Sequence, residues 1–393
     1  MRKICDLHIH SKYSGGASKN IDILKIALNC KKKGIDIVGS GDCLHSAWLS
    51  ELKSQLSEYT QGIFCSLNVP NVYFVLQTEI EVIWKYNNHL KKVHFVILFP
   101  NFEKVEEVID YLSKYGDLAK EGRAKIYISA EKLIFELNNI DPSIEIIPAH
   151  IFTPFYGIFS DSLQFNSIKE ALGDGIHYIH SVETGLSADP LMIRKISELN
   201  EFAIISSSNS HSMNFNRLGR EVTKLDLNKL SYRNFINSLR TNKIIKTFEF
   251  KPSGAKYFYD GHFHFDRNGY FCSPKLNQAD CPYCGRKLTK GVLSRVIKLC
   301  DQKPSNHKDF QYIVPLLHLI SKVLGGTEYD KKNLMLYHKL INNNDGEYEI
   351  WEGKSNFEGI STELIDAINK VKCGKFWFIP GYDSVYGNLR FKS

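Results

Sequence analysis

Two histidines, His8 and His10, follow the short run Ile4-Cys5-Asp6-Leu7 near the start of this 393-residue chain. In extended backbone, residues two apart face the same side. Both imidazoles are therefore expected on one side of the end of a first strand. Neutral imidazole is the commonest metal ligand, so the pair makes half of a metal site. Taken alone it fits a polar strand end equally well. What gives it weight is recurrence. Asp42 follows the strand-like run 35–38, Glu79 follows 72–76, His150 follows 144–147, Glu183 follows 178–182 and His211 follows 202–205, while His94 lies inside the run 93–98. Histidines mixed with carboxylates suit Zn²⁺, Mn²⁺ or Fe²⁺ better than Ca²⁺. Ions sharing one cavity clamp the attacking and leaving oxygens of a phosphoryl displacement and acidify bound water. The chemistry these residues point to is metal-assisted hydrolysis of a phosphate ester.

The elements that must position them alternate. Helical patterns at 20–33, 45–59, 105–114 and 130–137 separate about seven strand-like runs. Such alternation implies a parallel sheet or a closed β/α barrel, with the site at the C-terminal ends of the strands. The first helix ends in Lys31-Lys32-Lys33, expected to be solvated, and Gly34 stops it. With 43% hydrophobic residues the chain suffices for two or three domains. No run of 18 apolar residues suggests a membrane span. Nine cysteines, mostly scattered, and an N-terminus without a signal-peptide core fit a cytoplasmic protein. A net charge of +7 permits a polyanionic partner.

Character changes over 251–303. An aromatic, alternating stretch at 257–265 reads as a β-ribbon, and Cys272 and Cys281-x-x-Cys284 follow. Structural zinc takes four N or S ligands. Three cysteines cluster here, and the fourth ligand falls to His262 or His264, with His262 preferred. Arg286, Lys287, Lys290, Arg295 and Lys298 then form a basic stretch suited either to a phosphate backbone or to solvent. Beyond 304, helical patterns at 311–324, 333–342 and 362–371 precede a short strand at 376–379 and the turn Pro380-Gly381-Tyr382-Asp383.

Taken in order, Asp6-Leu7-His8-Ile9-His10, Gly41-Asp42-Cys43-Leu44-His45, Val93-His94-Phe95, Pro148-Ala149-His150, Glu183-Thr184-Gly185 and Arg217-Leu218-Gly219-Arg220-Glu221 resemble the endonuclease Q-like family of the PHP (polymerase and histidinol phosphatase) superfamily. The Cys281-Pro282-Tyr283-Cys284-Gly285 knuckle and the Pro380-Gly381-Tyr382-Asp383 turn extend the resemblance over nearly the whole chain. It implies an α/β fold: a distorted (β/α)7 barrel over 1–250, a zinc-knuckle module over 251–303 and a mainly helical domain over 304–393. It implies barrel-metal ligands at His8, His10, Asp42, His45, Glu79, His94, His150 and His211, holding Zn, Mn or Mg. Asp42, Glu79 and Asn209 would be catalytic. Structural zinc would sit on His262, Cys272, Cys281 and Cys284. Substrate contacts would come from Arg123, Glu183, Arg217, Arg220, Lys290, Tyr382, Asp383 and Tyr386. The activity implied is hydrolysis of DNA phosphodiester bonds 5′ to deaminated or abasic nucleotides, after the base is flipped out. An ATPase or helicase partner stays open.

One departure stands out. Where the family carries Asp-x-His, this chain reads Asn209-Ser210-His211. An amide oxygen can coordinate but carries no charge and accepts no proton from water. The expected consequences are one fewer metal, a different metal, slower hydrolysis or a barrel kept for binding, with altered activity favoured. A phosphatase of small phosphomonoesters and a weakened nucleic-acid-binding subunit are the rival readings.

Overall fold

The first apolar run forms β1 (Arg2–Asp6), and its last residues are buried on both faces. A computed structural model describes the chain apart from residues 163–164, 266–268, 305–308, 354 and 393. β1 lies parallel to β2 (Ile37–Gly39), and β2 parallel to β5 (Val69–Tyr86). β5 then pairs antiparallel with β6 (His89–Phe99), which pairs antiparallel with β8 (Glu145–Pro148). The end of β8 meets the end of β9 (Ser181–Glu183) through the Ile151 N–H and the Glu183 carbonyl at 3.0 Å. β9 pairs parallel with β10 (Ala203–Ile205), and just beyond β10 a bridge between Ser210 and Ile9 returns to β1. These seven strands close a ring, a distorted barrel in which β6 alone runs against its neighbours.

Two details of that ring differ from the sequence reading. β5 does not stop at residue 76. It spans 18 residues in all and runs on to Tyr86, because β6 pairs with it all the way from Leu76 to Tyr86. Glu79 therefore lies within a strand rather than after one. The expected helix over 45–59 ends at Gln55, and β3 (Leu56–Thr60) pairs with β4 (Ile63–Ser66), which extends the sheet beyond β5. A short β7 (Ala124–Ile126) lies parallel to β5 on its overhang.

On the other side of β1 the sheet grows outward through β11 (Val222–Asp226) and β12 (Ile244–Phe250), both antiparallel in their pairing. β15 (Asp309–Ile313) then pairs parallel with β12. The segment expected to be helical thus contributes a strand to the barrel's own sheet. Its helix begins only at Leu316, because Pro315 stands at the N-cap. Small antiparallel pairs form from β13 (Asp260–His262) with β14 (Tyr270–Cys272), and from β16 (Phe376–Ile379) with β17 (Asn388–Phe391).

The helix Ile23–Lys33 packs Ile23, Ile26, Ala27 and Cys30 inward, and Gly34 closes it at φ 81°. Its final lysine corrects the solvated reading. Lys33 is fully buried, its Nζ donating to the Phe215 and Leu218 carbonyls at 2.7 Å and standing 3.1 Å from Glu347 Oε2. It clasps the tail helix Glu347–Glu352 to the barrel. Among the described residues no helix is long and apolar enough to cross a membrane.

Candidate metal centre

Glu79, fully buried on β5, is the hub of the barrel mouth. Its Oε1 lies 2.9 Å from His94 Nδ1, 2.9 Å from His150 Nε2 and 3.5 Å from His8 Nε2. Its Oε2 lies 3.3 Å from His10 Nε2 and 3.4 Å from Arg123 Nη1. The period-two reading of β1 puts His8 and His10 on one side, with ring centroids 5.3 Å apart. His94 reaches the same point because β6 runs backwards, which places it opposite Glu81 and level with the end of β8. Two ligand groups result, His8–His10–Glu79 and Glu79–His94–His150, with the atoms of each within 4.8 Å of one another. His8 Nε2 is buried without a hydrogen-bond partner, as a nitrogen reserved for an ion would be. The donor set, four imidazoles around one carboxylate, fits a divalent transition metal.

Around these ligands lies a ring of groups that orient them. Glu183 faces His8 Nδ1 at 3.0 and 3.1 Å and accepts the His150 N–H at 3.0 Å. That contact turns His8 Nε2 toward Glu79. Glu183 is 1% exposed and stands behind His8. Asp42 accepts from the Ser11 N–H, the Ser11 hydroxyl and the Ser14 hydroxyl on Oδ2, and faces His10 Nδ1 at 3.2 Å through Oδ1. It is an orienting group for His10 outside both ligand clusters. Its serine partners were not singled out in the sequence, although Ser11 directly follows the His8–His10 pair. Burial works against a charge on His8, yet Glu183 and Glu79 lift its pKa to about 10. Burial would raise Glu79, but His94 and His8 hold it well below the usual carboxylate range.

Asn209 Oδ1 lies 3.1 Å from His10 Nε2. The His211 ring packs tilted against His10, centroids 4.0 Å apart, with its Nδ1 3.1 Å from the Asn209 carbonyl. Burial, then the His10 charge, push His211 down to about 3. His45 is set apart: it stacks on Tyr13 at 4.3 Å and belongs to neither ligand group. Asp42, His150 and Asn209 all have positive φ, at 39°, 34° and 46°. Backbone strain of this kind collects where structure must aim side chains.

The expected substrate contacts separate into three sets. Arg123 is at the metal centre. Arg217, Arg220 and Tyr386 line a cavity of about 150 Å³ with Leu186, Phe250 and Phe378, where the barrel meets the tail. Burial raises the Tyr386 phenol, but Arg220, Arg217 and Lys256 bring it below its ordinary value. The remaining three make contacts within the fold. Lys290 is paired with buried Asp260 at 2.8 Å. Tyr382 stacks on Phe271 at 4.8 Å, and Asp383 accepts from the Phe263 N–H at 2.7 Å and the Thr289 hydroxyl at 2.8 Å. Together they pin the tail turn to the ribbon. Arg295 is likewise turned inward, onto the Phe159 and Phe165 carbonyls. Of that basic stretch Arg286, Lys287 and Lys298 face solvent.

In the cysteine module the knuckle turns at Gly285, φ 72°, with its N–H on the Cys281 carbonyl at 2.8 Å. His262, His264 and Cys284 offer ligand atoms within 4.8 Å, and His264 Nε2 lies 3.3 Å from Cys281 Sγ. Cys272 packs instead with Cys281 and Leu288 in a small apolar cluster. The structure thus groups both histidines with the knuckle, where the sequence reading took Cys272 and one histidine.

Comparison with known proteins bears on the whole chain. No family model matches it. The lesion-specific endonuclease PfuEndoQ of Pyrococcus furiosus superposes with a TM-score of 0.88 at 28% identity, covering 100% of this chain and 96% of that one. Endonuclease Q bound to a 27-mer duplex with an abasic lesion at its active site gives 0.88 at 29% identity, covering 100% and 97%. The uncharacterized protein YqxK of Bacillus subtilis is 26% identical over 326 residues, 77% of this chain and 78% of that protein. An uncharacterized protein of Methanocaldococcus jannaschii is 28% identical over 251 residues, 61% of this chain, which spans only 31% of that protein's length. From barrel to tail, this chain shares the architecture of endonuclease Q.

Proposed function

We propose that this protein is a divalent-metal-dependent endonuclease that hydrolyses DNA phosphodiester bonds, 5′ to abasic or deaminated nucleotides. The observation that carries the proposal is Glu79 shared between two pairs of buried histidines, in a fold that follows endonuclease Q over its full length. His8, His10, His94, His150 and Glu79 would hold the ions. Bound ions supply Lewis-acid stabilisation of phosphoryl charge and acidify water. The chain's own work is orientation. Glu183 fixes the His8 tautomer, and Asp42 with Ser11 and Ser14 fixes His10. Arg123 offers a guanidinium beside Glu79 for a phosphate oxygen. The Arg217–Arg220–Tyr386 cavity, whose Arg220 also donates to the Ser208 carbonyl beside Asn209, would receive the displaced nucleotide.

We assign structural zinc in the ribbon to His262, His264, Cys281 and Cys284, a Cys2His2 set. Exposed Arg286, Lys287 and Lys298 would follow the DNA backbone.

Asn209 favours one second reading, a barrel that binds DNA but cuts it slowly. Labelled duplexes carrying deoxyuridine, deoxyinosine, an abasic site or no lesion, incubated with Mn²⁺ or Mg²⁺, separate the two. Cleavage beside the lesion supports the endonuclease; tight binding without cutting supports the second reading, and release of phosphate from small monoesters alone supports neither.

A further inference from the structure

We propose that this barrel is built for two divalent ions and that the Arg123 guanidinium supplies the further positive charge at the bound phosphate. The inference rests on the phosphodiesterase reading above and concerns what fills the edge of the site where Asn209 stands. Two ligand groups converge on Glu79, each with two imidazoles and a share of one carboxylate. A third ion would have to lie toward Asn209, and the carboxylates there are already engaged. Asp42 receives three hydrogen bonds on Oδ2, at 2.6, 2.7 and 2.9 Å, and faces His10 through Oδ1. Glu183 is spent on His8 and the His150 N–H. What remains is Asn209 Oδ1 and His211, two neutral donors. Hard divalent ions are held mainly by ligand charge, and an amide with one imidazole competes poorly with water.

The same edge already carries a cation. Arg123 Nη1 is 3.4 Å from Glu79 Oε2, and that oxygen is 3.3 Å from His10 Nε2, which is itself 3.1 Å from Asn209 Oδ1. Arg123, His10 and Asn209 therefore meet at one side of one carboxylate. The loop that delivers Arg123 is fixed. The Gly122 N–H donates to the Tyr13 carbonyl at 3.1 Å, and a Cβ at 122 would stand 2.4 Å from Asp42 Oδ2. Only glycine lets the backbone pass this close to the site. The Arg123 side chain is 22% exposed, open enough to touch a ligand and enclosed enough for its charge to act with little screening. Its planar fork matches phosphate oxygens. An aspartate at 209 would face this guanidinium across Glu79 and draw on its charge; the amide adds no carboxylate to the two, Glu79 and Glu121, that already flank it.

The test counts metal and measures phosphate binding, neither of which needs turnover. Full-length protein is stripped with chelator and reloaded with Mn²⁺. Manganese is then counted by elemental analysis, separately from zinc. About two manganese ions per chain are expected in the wild type and in Arg123→Ala, rising to about three in Asn209→Asp/Arg123→Ala. Inorganic phosphate, titrated into the Mn-loaded protein, should bind about tenfold more weakly to Arg123→Ala, with partial recovery in Arg123→Lys and in the double variant. Three ions in the wild type, or unchanged phosphate affinity in Arg123→Ala, overturns the inference. Absence of DNA cleavage would retire the nuclease reading while leaving both measurements decisive here.

Discussion

Glu183 shows what spacing in a sequence conveys and what it does not. Its place after a strand marked it as a site residue, and in the fold it lies against His8. Which way it serves the site depends on β9 lying beside β8, where it meets His8 from behind. His8 and His10 were legible because a period of two is local geometry. Asp42 was legible as a site residue but not as the partner of His10, since Ser11 and Ser14 saturate it only after the chain folds back. Groups behind metal ligands tune affinity rather than create it. Glu183→Gln should lower Mn²⁺ affinity about 10–100-fold, measured by calorimetric titration, with an unchanged circular dichroism spectrum. An affinity equal to wild type would remove Glu183 from the site's design.

At the scale of elements, the seven ring strands were readable from apolar runs, while β11, β12 and β15 were not. β11 and β12 carry polar residues that are buried only because the sheet extends outward to meet them. Glu249 on β12 is the sharpest case. It is fully buried and accepts from the Ser206 and Thr247 hydroxyls, with Glu221 and Asp189 nearby. Burial raises its carboxyl to about 8 against those donors, from about 4.3 in the unfolded chain. The unfolded state thus loses this proton first. The neutral acid's contribution to stability is full below about pH 4, declines as pH rises, and is gone above about pH 8. Glu249→Gln, which mimics the neutral acid, should flatten that part of the dependence. Melting temperatures at pH 5, 7 and 8 would show the wild-type curve falling relative to the variant's. Parallel curves would mean Glu249 does not hold its proton.

Across the whole molecule, the ribbon and tail are held by polar pins that no motif announces. Asp383 bridges the ribbon and knuckle strands, Lys33 meets Glu347, and Gly381 lies so close to the Ala255 carbonyl that a Cβ there would stand 1.9 Å from it. A ribbon this small buries too little apolar surface to hold itself. His264→Ala should therefore release zinc, counted by elemental analysis, and weaken DNA binding while manganese in the barrel stays at its wild-type level. Retention of zinc in that variant would return the fourth ligand to Cys272. The proposed cutting surface is centred on the Glu79 site of the barrel. The claim that this surface cuts DNA is met most directly by gel analysis of a labelled duplex with one abasic site, incubated with Mn²⁺ and wild-type or Glu79→Gln protein. A single Mn²⁺-dependent cut 5′ to the lesion, lost in Glu79→Gln, is the expected result; an intact strand with fully Mn-loaded wild-type protein would contradict the account.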